Sequence, residues 1–348
     1  MATDAAAVRK GEELDPAGLA KYLRGKIEGV ECGIEIQQFP GGHSNLTYLL
    51  SAGGREYVLR RAPLGPVAPR AHDMVREFRV LEAVHPHFPP APQVHLVCED
   101  PGVIGGAFFL MERRRGIVLR DRVPPEIAAH LDYARRISEA FIGCLVQLHG
   151  VDIEKHGLTA LGKPEGYVER QLRGWTDRWE RARTQPSPEM DRVAAWLAFR
   201  IPLSGRPTLV HNDFKLDNVM IASDSPDRIE AVLDWEMATV GDPLCDLGLT
   251  LCYWNSAVVP GTGHQAITAA PGWYGREELV ARYAEKTGRD LSALLWHEVF
   301  GLFRMTVILQ QIYFRFRRGQ TSDQRFRNFD QRVNALTALA VRMVEEAG

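Results

Sequence analysis

Along the first 110 positions, apolar residues alternate with polar ones in short runs, the period of half-buried strands. IEIQQF (34–39) and TYLL (47–50) flank the turn PGGHSN (40–45), and REYVLR (55–60) follows a second turn, SAGG (51–54). VHLVC (94–98) and AFFLM (107–111) are two further runs, separated by EDPGVIGG, whose Gly, Pro and Asp supply turn chemistry. One segment breaks the alternation. Across 70–84, Met74, Phe78 and Leu81 recur at helical spacing and predict a helix. Residues 1–30 are polar and predicted to be partly mobile.

After Gly116 the period changes. Ile127, Leu131, Ala134, Ile137, Phe141, Leu145 and Leu148 predict one long amphipathic helix over 126–149. The same spacing predicts helices over 166–183, 188–199, 243–253, 275–287, 290–317 and 322–346. Two short apolar runs, TLV (208–210) and IEAVL (229–233), interrupt this series, and each leads into a polar cluster. The pattern describes a small β-rich lobe joined to a larger helical one.

Composition narrows the function classes. The 348 residues are 45% hydrophobic and 25% charged, ordinary for a globular chain with a sizeable core. A net charge of −2 does not select nucleic acid or an anionic membrane as partner. The most apolar long stretch, Leu291 to Phe316, contains His297, Glu298, Arg304, Gln310 and Gln311, so it reads as a buried helix and not a membrane span. The N-terminus, MATDAAAVRKGEELD, has no apolar core of a signal peptide. The five cysteines are scattered and form no C-x-x-C pair, which points to a reducing cytoplasm. His85, His87 and His95 lie among prolines with no acidic or cysteine partner at a metal spacing, and read as loop residues. No G-x-S-x-G element supports a hydrolase.

Two clusters carry chemistry. LVHNDFKLDNVMI (209–221) spaces His211, Asp213 and Asn218 as H-x-D-x-x-x-x-N. In phosphoryl transfer a carboxylate must accept or orient the attacking hydroxyl proton, and an amide oxygen a few residues on can ligate Mg²⁺. AVLDWE (231–236) then puts Asp234 at the end of an apolar strand, where a hard carboxylate can reach Mg²⁺ bridging phosphates. A lone Asp at a strand end is usually a turn or cap residue. The pair, in this order and each after an apolar run, is far more specific. Asp213 is the candidate catalytic residue, and Asn218 and Asp234 the candidate metal ligands.

At these residues the chain resembles the aminoglycoside phosphotransferase-like family, over roughly residues 34–255. The resemblance implies an α+β, protein-kinase-like bilobal fold. Residues 1–112 would form a small antiparallel β-sheet lobe with one helix, and residues 113–348 a larger, mainly helical lobe. It implies ATP as phosphoryl donor and Mg²⁺ as cofactor. In GDPLCDLG (241–248), Asp246 would brace the catalytic loop. Gly41, Gly42 and Ser44 in PGGHSN would fold over phosphates, an ordinary hairpin turn being the alternative. Arg60, in YVLRR (57–61), stands where the kinase strand carries its phosphate-contacting lysine. Its implied partner is Glu77, for which a solvated helix face is the other reading. FFLME (108–112) is similar to the segment whose backbone, near Glu112 and Arg114, hydrogen-bonds adenine.

Only 12 positions separate Asp234 from Asp246, leaving no room for the activation loop of protein kinases, so a small-molecule acceptor is expected. VLRRAP, ERQLRGW, DWEMATVGDPLCDLG and LCYW look closest to the kinase domains fused to some acyl-CoA dehydrogenases, which implies a hydroxy acid or hydroxyacyl-CoA. Seven arginines between Phe300 and Arg332 against two acids agree with an anionic acceptor. An aminoglycoside or other antibiotic acceptor, and a non-catalytic, pseudokinase-like nucleotide-binding module, are the alternatives.

Overall fold

A computed structural model of the chain describes residues 4–40, 45–63, 73–254, 266–321 and 323–348. The chain divides into two units, one comprising Met1–Gly116 and Glu230–Met237, the other Ile117–Ile229 and Ala238–Gly348. The sequence reading drew a single boundary after residue 112. The first unit reclaims the short segment that carries Asp234.

Alternation builds the first unit as expected. Strands β1 (Ile34–Gln38), β2 (Leu46–Ala52), β3 (Arg55–Arg61), β4 (Val94–Cys98) and β5 (Phe108–Glu112) form one antiparallel sheet in the order β1-β2-β3-β5-β4. Gly53 and Gly54 close the β2–β3 hairpin with φ of 55° and 79°, the conformation a two-residue turn of this hand requires. Tyr48, Leu50, Tyr57, Leu59, Phe108 and Leu110 are buried in one core cluster.

Helix α1 (Pro16–Leu23) covers that cluster with Leu19 and Leu23, both fully buried. Asp15 caps it by accepting from the Ala17 and Gly18 N–H groups, and Pro16 occupies the first turn, where a missing N–H costs nothing. Within the stretch 1–30, read from sequence as polar, two leucines four apart thus pack a helix onto the sheet. Helix α2 (Met74–Val84) is capped by Asp73, and residues 70–72 of the expected helix lie outside the described residues. With α3 (Pro101–Ile104) the described residues of the unit hold three α-helices where the sequence suggested one.

The second unit holds three short strand pairings. Strand β6 (Ile117–Val118) runs antiparallel to β8 (Val219–Ala222), which is flanked by β9 (Ser225–Val232), and β7 (Thr208–Val210) pairs with β10 (Thr239–Gly241). Its helices are α4 (Pro125–Ala128), α5 (Tyr133–His149), α6 (Tyr167–Ala182), α7 (Pro188–Phe199), α8 (Pro243–Trp254), α9 (Arg276–Thr287), α10 (Leu294–Arg317) and α11 (Phe329–Glu346). The long helix expected over 126–149 is broken. Asp132 turns left-handed at φ 52° and Leu131, counted in the apolar face, is 81% exposed. The predicted helix over 322–346 starts at Phe329, because Asp323 caps a separate single turn at Gln324–Phe326. Helices α8 and α10 cross at glycine: a Cβ on Gly248 would lie 2.5 Å from the His297 carbonyl carbon. Among the described residues no helix is long and apolar enough to cross a membrane.

Candidate functional site

Arg60, one residue before the end of strand β3, is buried, and α2 places Glu77 against it. Arg60 Nε lies 3.1 Å from Glu77 Oε2, and its Nη2 pairs with Asp234 Oδ1. Asp234 follows β9 in a left-handed conformation, φ 70°, that turns its side chain out of the strand direction. The segment is pinned on both sides. Trp235 N–H donates to Glu77 Oε1 at 3.2 Å, its indole donates to Val232 O at 2.8 Å, and its ring meets Phe88 edge-on. Glu236 accepts from Asn45 Nδ2 at 3.2 Å.

Three carboxylates, Glu77, Asp234 and Glu236, thus act on Arg60. Burial lowers the guanidinium's proton affinity, but these acids raise it further, so Arg60 stays charged. Glu77 is pushed up to about 7 by burial and by repulsion from Asp234 and Glu236, which together outweigh Arg60. The surplus of hard oxygen donors fits a divalent cation.

In the second unit, β7 runs into the loop His211–Asn218. Asp246, at the start of α8, accepts from the His211 N–H on Oδ2 and the Asn212 N–H on Oδ1, both at 2.5 Å. Asn212 is left-handed, φ 66°, a backbone state asparagine tolerates better than most residues. Thr250 Oγ1 donates to Phe214 O at 2.8 Å. The carboxylate of Asp213 is held by Lys215 Nζ at 2.9 and 3.1 Å and by Asn218 Nδ2 at 2.8 Å, and the Tyr253 hydroxyl also bonds it. Because Asn218 commits its amide nitrogen to Asp213, its Oδ1 is the atom left to meet a cation. No group of three His, Cys, Asp or Glu suited to a metal occurs among the described residues. That is compatible with Mg²⁺, which commonly takes one or two carboxylates together with substrate phosphates.

A cavity of about 420 Å³ lies in the second unit, and Lys215 and Asp217 of the same loop line it. Its walls are largely apolar, with Leu119, Trp254, Met305, Leu309 and Leu336, and it carries Arg120 and Arg332 as further cations. Burial pushes the Asp217 carboxyl up, against the pull of Lys215 and Arg120.

The structure brings Arg60, Glu77 and Asp234 together in one unit, and Asp213 and Asn218 in the other. Gly41, Gly42 and Ser44 lie outside the described residues. Glu112 is tied into the sheet: its N–H donates to Gln93 O at 2.8 Å, and its side chain accepts from the Gln93 N–H and from Arg114. The Arg114 carbonyl accepts from Arg113 Nη1 at 2.8 Å. Sequence reasoning passed over Lys215, although it stands two positions after Asp213, and over Tyr253, which lies inside the quoted LCYW. It also pooled seven arginines that the structure separates. Arg332 reaches the cavity, Arg317 bonds Tyr313, Arg325 bonds Asp323, and Arg304 is buried elsewhere.

The signature of the phosphotransferase enzyme family, APH, matches residues 35–280. Acyl-CoA dehydrogenase family member 10 of Mus musculus is 35% identical over 96% of the chain, and member 11 of Homo sapiens is 33% identical over 92%. The chain spans only 31% and 42% of the lengths of those relatives. A Ralstonia eutropha protein, provisionally described as an aminoglycoside phosphotransferase, has a crystal structure that superposes with a TM-score of 0.81 at 30% identity, covering 96% of this chain and 99% of that one. The chain is a member of the phosphotransferase enzyme family, with an α+β, protein-kinase-like fold.

Proposed function

We propose that the protein transfers the γ-phosphoryl group of ATP to a hydroxyl of a small, anionic, partly apolar molecule, of the hydroxy acid or hydroxyacyl-CoA class. The observation that carries this reading is the cavity beside the Asp213–Lys215 pair, apolar along its walls and bearing Arg120 and Arg332. An aminoglycoside brings several ammonium groups that need carboxylates on leaving water. The cavity offers Asp121 and Asp217 against three cations, Arg120, Lys215 and Arg332, which favours a carboxylate or phosphate instead.

In this reading the acceptor hydroxyl donates its hydrogen bond to Asp213, whose orientation Lys215 and Asn218 fix. Its oxygen forms a bond to the γ-phosphorus, the bridging P–O bond to the β-phosphate breaks, ADP leaves, and the hydroxyl proton passes to Asp213. Phosphoryl transfer has a loose transition state, so positioning and charge complementarity supply most of the catalysis. Arg60, clamped between Glu77 and Asp234, offers a planar, permanently charged contact to phosphate where kinases use a lysine. Asn218 and Asp234 are the residues that would hold Mg²⁺, which when bound neutralises charge on the phosphates.

ADP release tests this across 3- and 4-hydroxy acids, free and as CoA thioesters, beside kanamycin-type aminoglycosides. Turnover with the hydroxy acids, abolished by EDTA, is expected. Asp213→Asn should lower turnover about 10²–10⁴-fold while Mg·ATP still binds, whereas Asp234→Asn should damage both. Turnover of aminoglycosides alone would overturn the acceptor class. Nucleotide binding without turnover of any acceptor would favour a non-catalytic module.

A further inference from the structure

Arg304 is the single cation in the run FGLFRMTVIL of α10. It is 2% exposed, and among the described residues it makes no ion pair with a carboxylate. Instead its Nη2 donates to the backbone oxygen of Asn212 at 3.0 Å, and its Nη1 reaches Asn212 Oδ1 at 3.5 Å. The rings of Trp175 and Phe300 flank it, with centroids 5.3 and 5.9 Å from the guanidinium carbon. Its Nε makes no hydrogen bond. Burying a guanidinium against neutral oxygens is costly, and a methionine or leucine would fill the space without that cost.

What Arg304 grips is the residue before Asp213. Asn212 is left-handed, and it is held from three sides. Asp246 takes its N–H, Tyr167 donates to its Oδ1 at 3.0 Å, and Arg304 takes its carbonyl. The carbonyl of Asn212 belongs to the peptide plane that also contains the Asp213 nitrogen, so rotation of that plane swings the Asp213 side chain. Backbone strain of this kind persists only where surrounding groups over-determine it.

We infer that Arg304 is a positioning residue for phosphoryl transfer, acting through the Asn212 peptide to set the orientation of Asp213. Trp175 and Tyr167 of α6 complete the seat, the first by flanking the guanidinium and the second by fixing the Asn212 amide. This rests on the phosphotransferase reading of Asp213, so the test includes one arm that does not need turnover.

Arg304→Lys keeps the charge but loses the fork, Arg304→Met keeps the length without charge, and Asn212→Gly keeps the backbone state but removes the amide. Each is compared with wild type using the acceptor that supports ADP release. The expected result is a fall in kcat of about 10–100-fold with KM for Mg·ATP and acceptor unchanged. The Arg304→Lys and Asn212→Gly effects on kcat should be non-additive in the double variant. Independently of turnover, hydrogen exchange should show lost protection confined to the peptide covering 209–216. Folded variants with kcat within twofold of wild type and unchanged exchange there would overturn the inference. So would additive effects accompanied by a general loss of protection across α6 and α10, the mark of a packing role alone. If an Arg304 variant does not fold, the other decides on the same criteria; if neither folds, Asn212→Gly with wild-type kcat and exchange overturns it. Should wild type release no ADP with any acceptor, the function reading fails, and the exchange arm still decides whether Arg304 holds the loop.

Discussion

Glu77 in the first unit and Asp246 in the second are each about 1% exposed, yet their proton affinities move in opposite directions. Burial pushes both up. Glu77 ends at about 7, because its cation is shared with Asp234 and Glu236 and its one backbone donor, Trp235 N–H, is 3.2 Å away. Asp246 ends below the usual carboxylate range, because the His149 ring and the backbone N–H of His211 outweigh burial, with Asn212 N–H on its other oxygen. Directed donors, with the attraction of two histidines, hold the buried Asp246 carboxylate, whereas neighbouring carboxylates leave Glu77 contested. The contrast is one of geometry: the loop before Asp213 is held in a fixed frame, while three carboxylates crowd around one guanidinium.

The sharpest way to break this comparison is Asp246→Asn. The two backbone N–H donors sit on different oxygens, so in either orientation the new NH₂ would face one of them. A loss of about 3–5 kcal/mol is expected, read by denaturant unfolding. A variant as stable as wild type would show that the two N–H contacts do not govern the loop.

A second effect, of roughly 3 kcal/mol, lies in the pH profile of stability. Burial pushes His297 down to about 4, against the pull of Asp242, from an ordinary value of 6.5. The unfolded chain then binds more protons between those limits, so this contribution is complete above pH 6.5 and is lost as pH falls toward 4, a span of roughly 3 kcal/mol. Glu77 has the opposite sign. Its native form holds the proton more tightly, so its contribution is complete below 4.5 and is lost as pH rises toward 7, again by roughly 3 kcal/mol. The two slopes oppose each other between pH 4.5 and 6.5. His297→Gln should leave stability falling with pH across that window, and Glu77→Gln should leave it rising. Slopes of the same sign in both variants would contradict the assignment.

The smallest effect sharpens the contrast from the other side. At pH 7, Glu77→Gln should cost only about 1 kcal/mol, since Arg60 keeps Asp234 and a glutamine oxygen can still accept from Trp235 N–H. A loss as large as that of Asp246→Asn would mean that Glu77 is as fully committed as its counterpart.

The same distinction explains how far the sequence could be read. The strands of the first unit were legible because alternation has one cause, a sheet with a buried face, and VLR and FFLM pair in register across β3 and β5. HNDFKLDN and LDWE stood out as polar clusters because each follows an apolar run that ends at the loop. Helix α1 was not, although Asp15-Pro16 with Leu19 and Leu23 is an N-terminal signature followed by a docking pair; its polar surroundings hid it. Arg304 was illegible for a different reason. α10 is buried on nearly every side over its first half, so no periodicity tells which face a charge occupies. A buried arginine and a solvated one carry the same letter, and only the Asn212 carbonyl distinguishes them.

The return of Glu230–Met237 to the first unit bears on the order in which the protein is made. Arg60 leaves the ribosome 174 residues before its partner Asp234. At a synthesis rate of about 5–20 residues per second, that gap lasts roughly 10–30 s. During it, the sheet and α2 can assemble around Arg60 and Glu77 while the third member of the cluster is still unsynthesised. A fragment ending at Gly116 would stay permanently in that condition. The first unit is therefore not a portable cassette: transplanting residues 1–116 into another protein would carry over the sheet and leave Asp234, the partner of Arg60, behind.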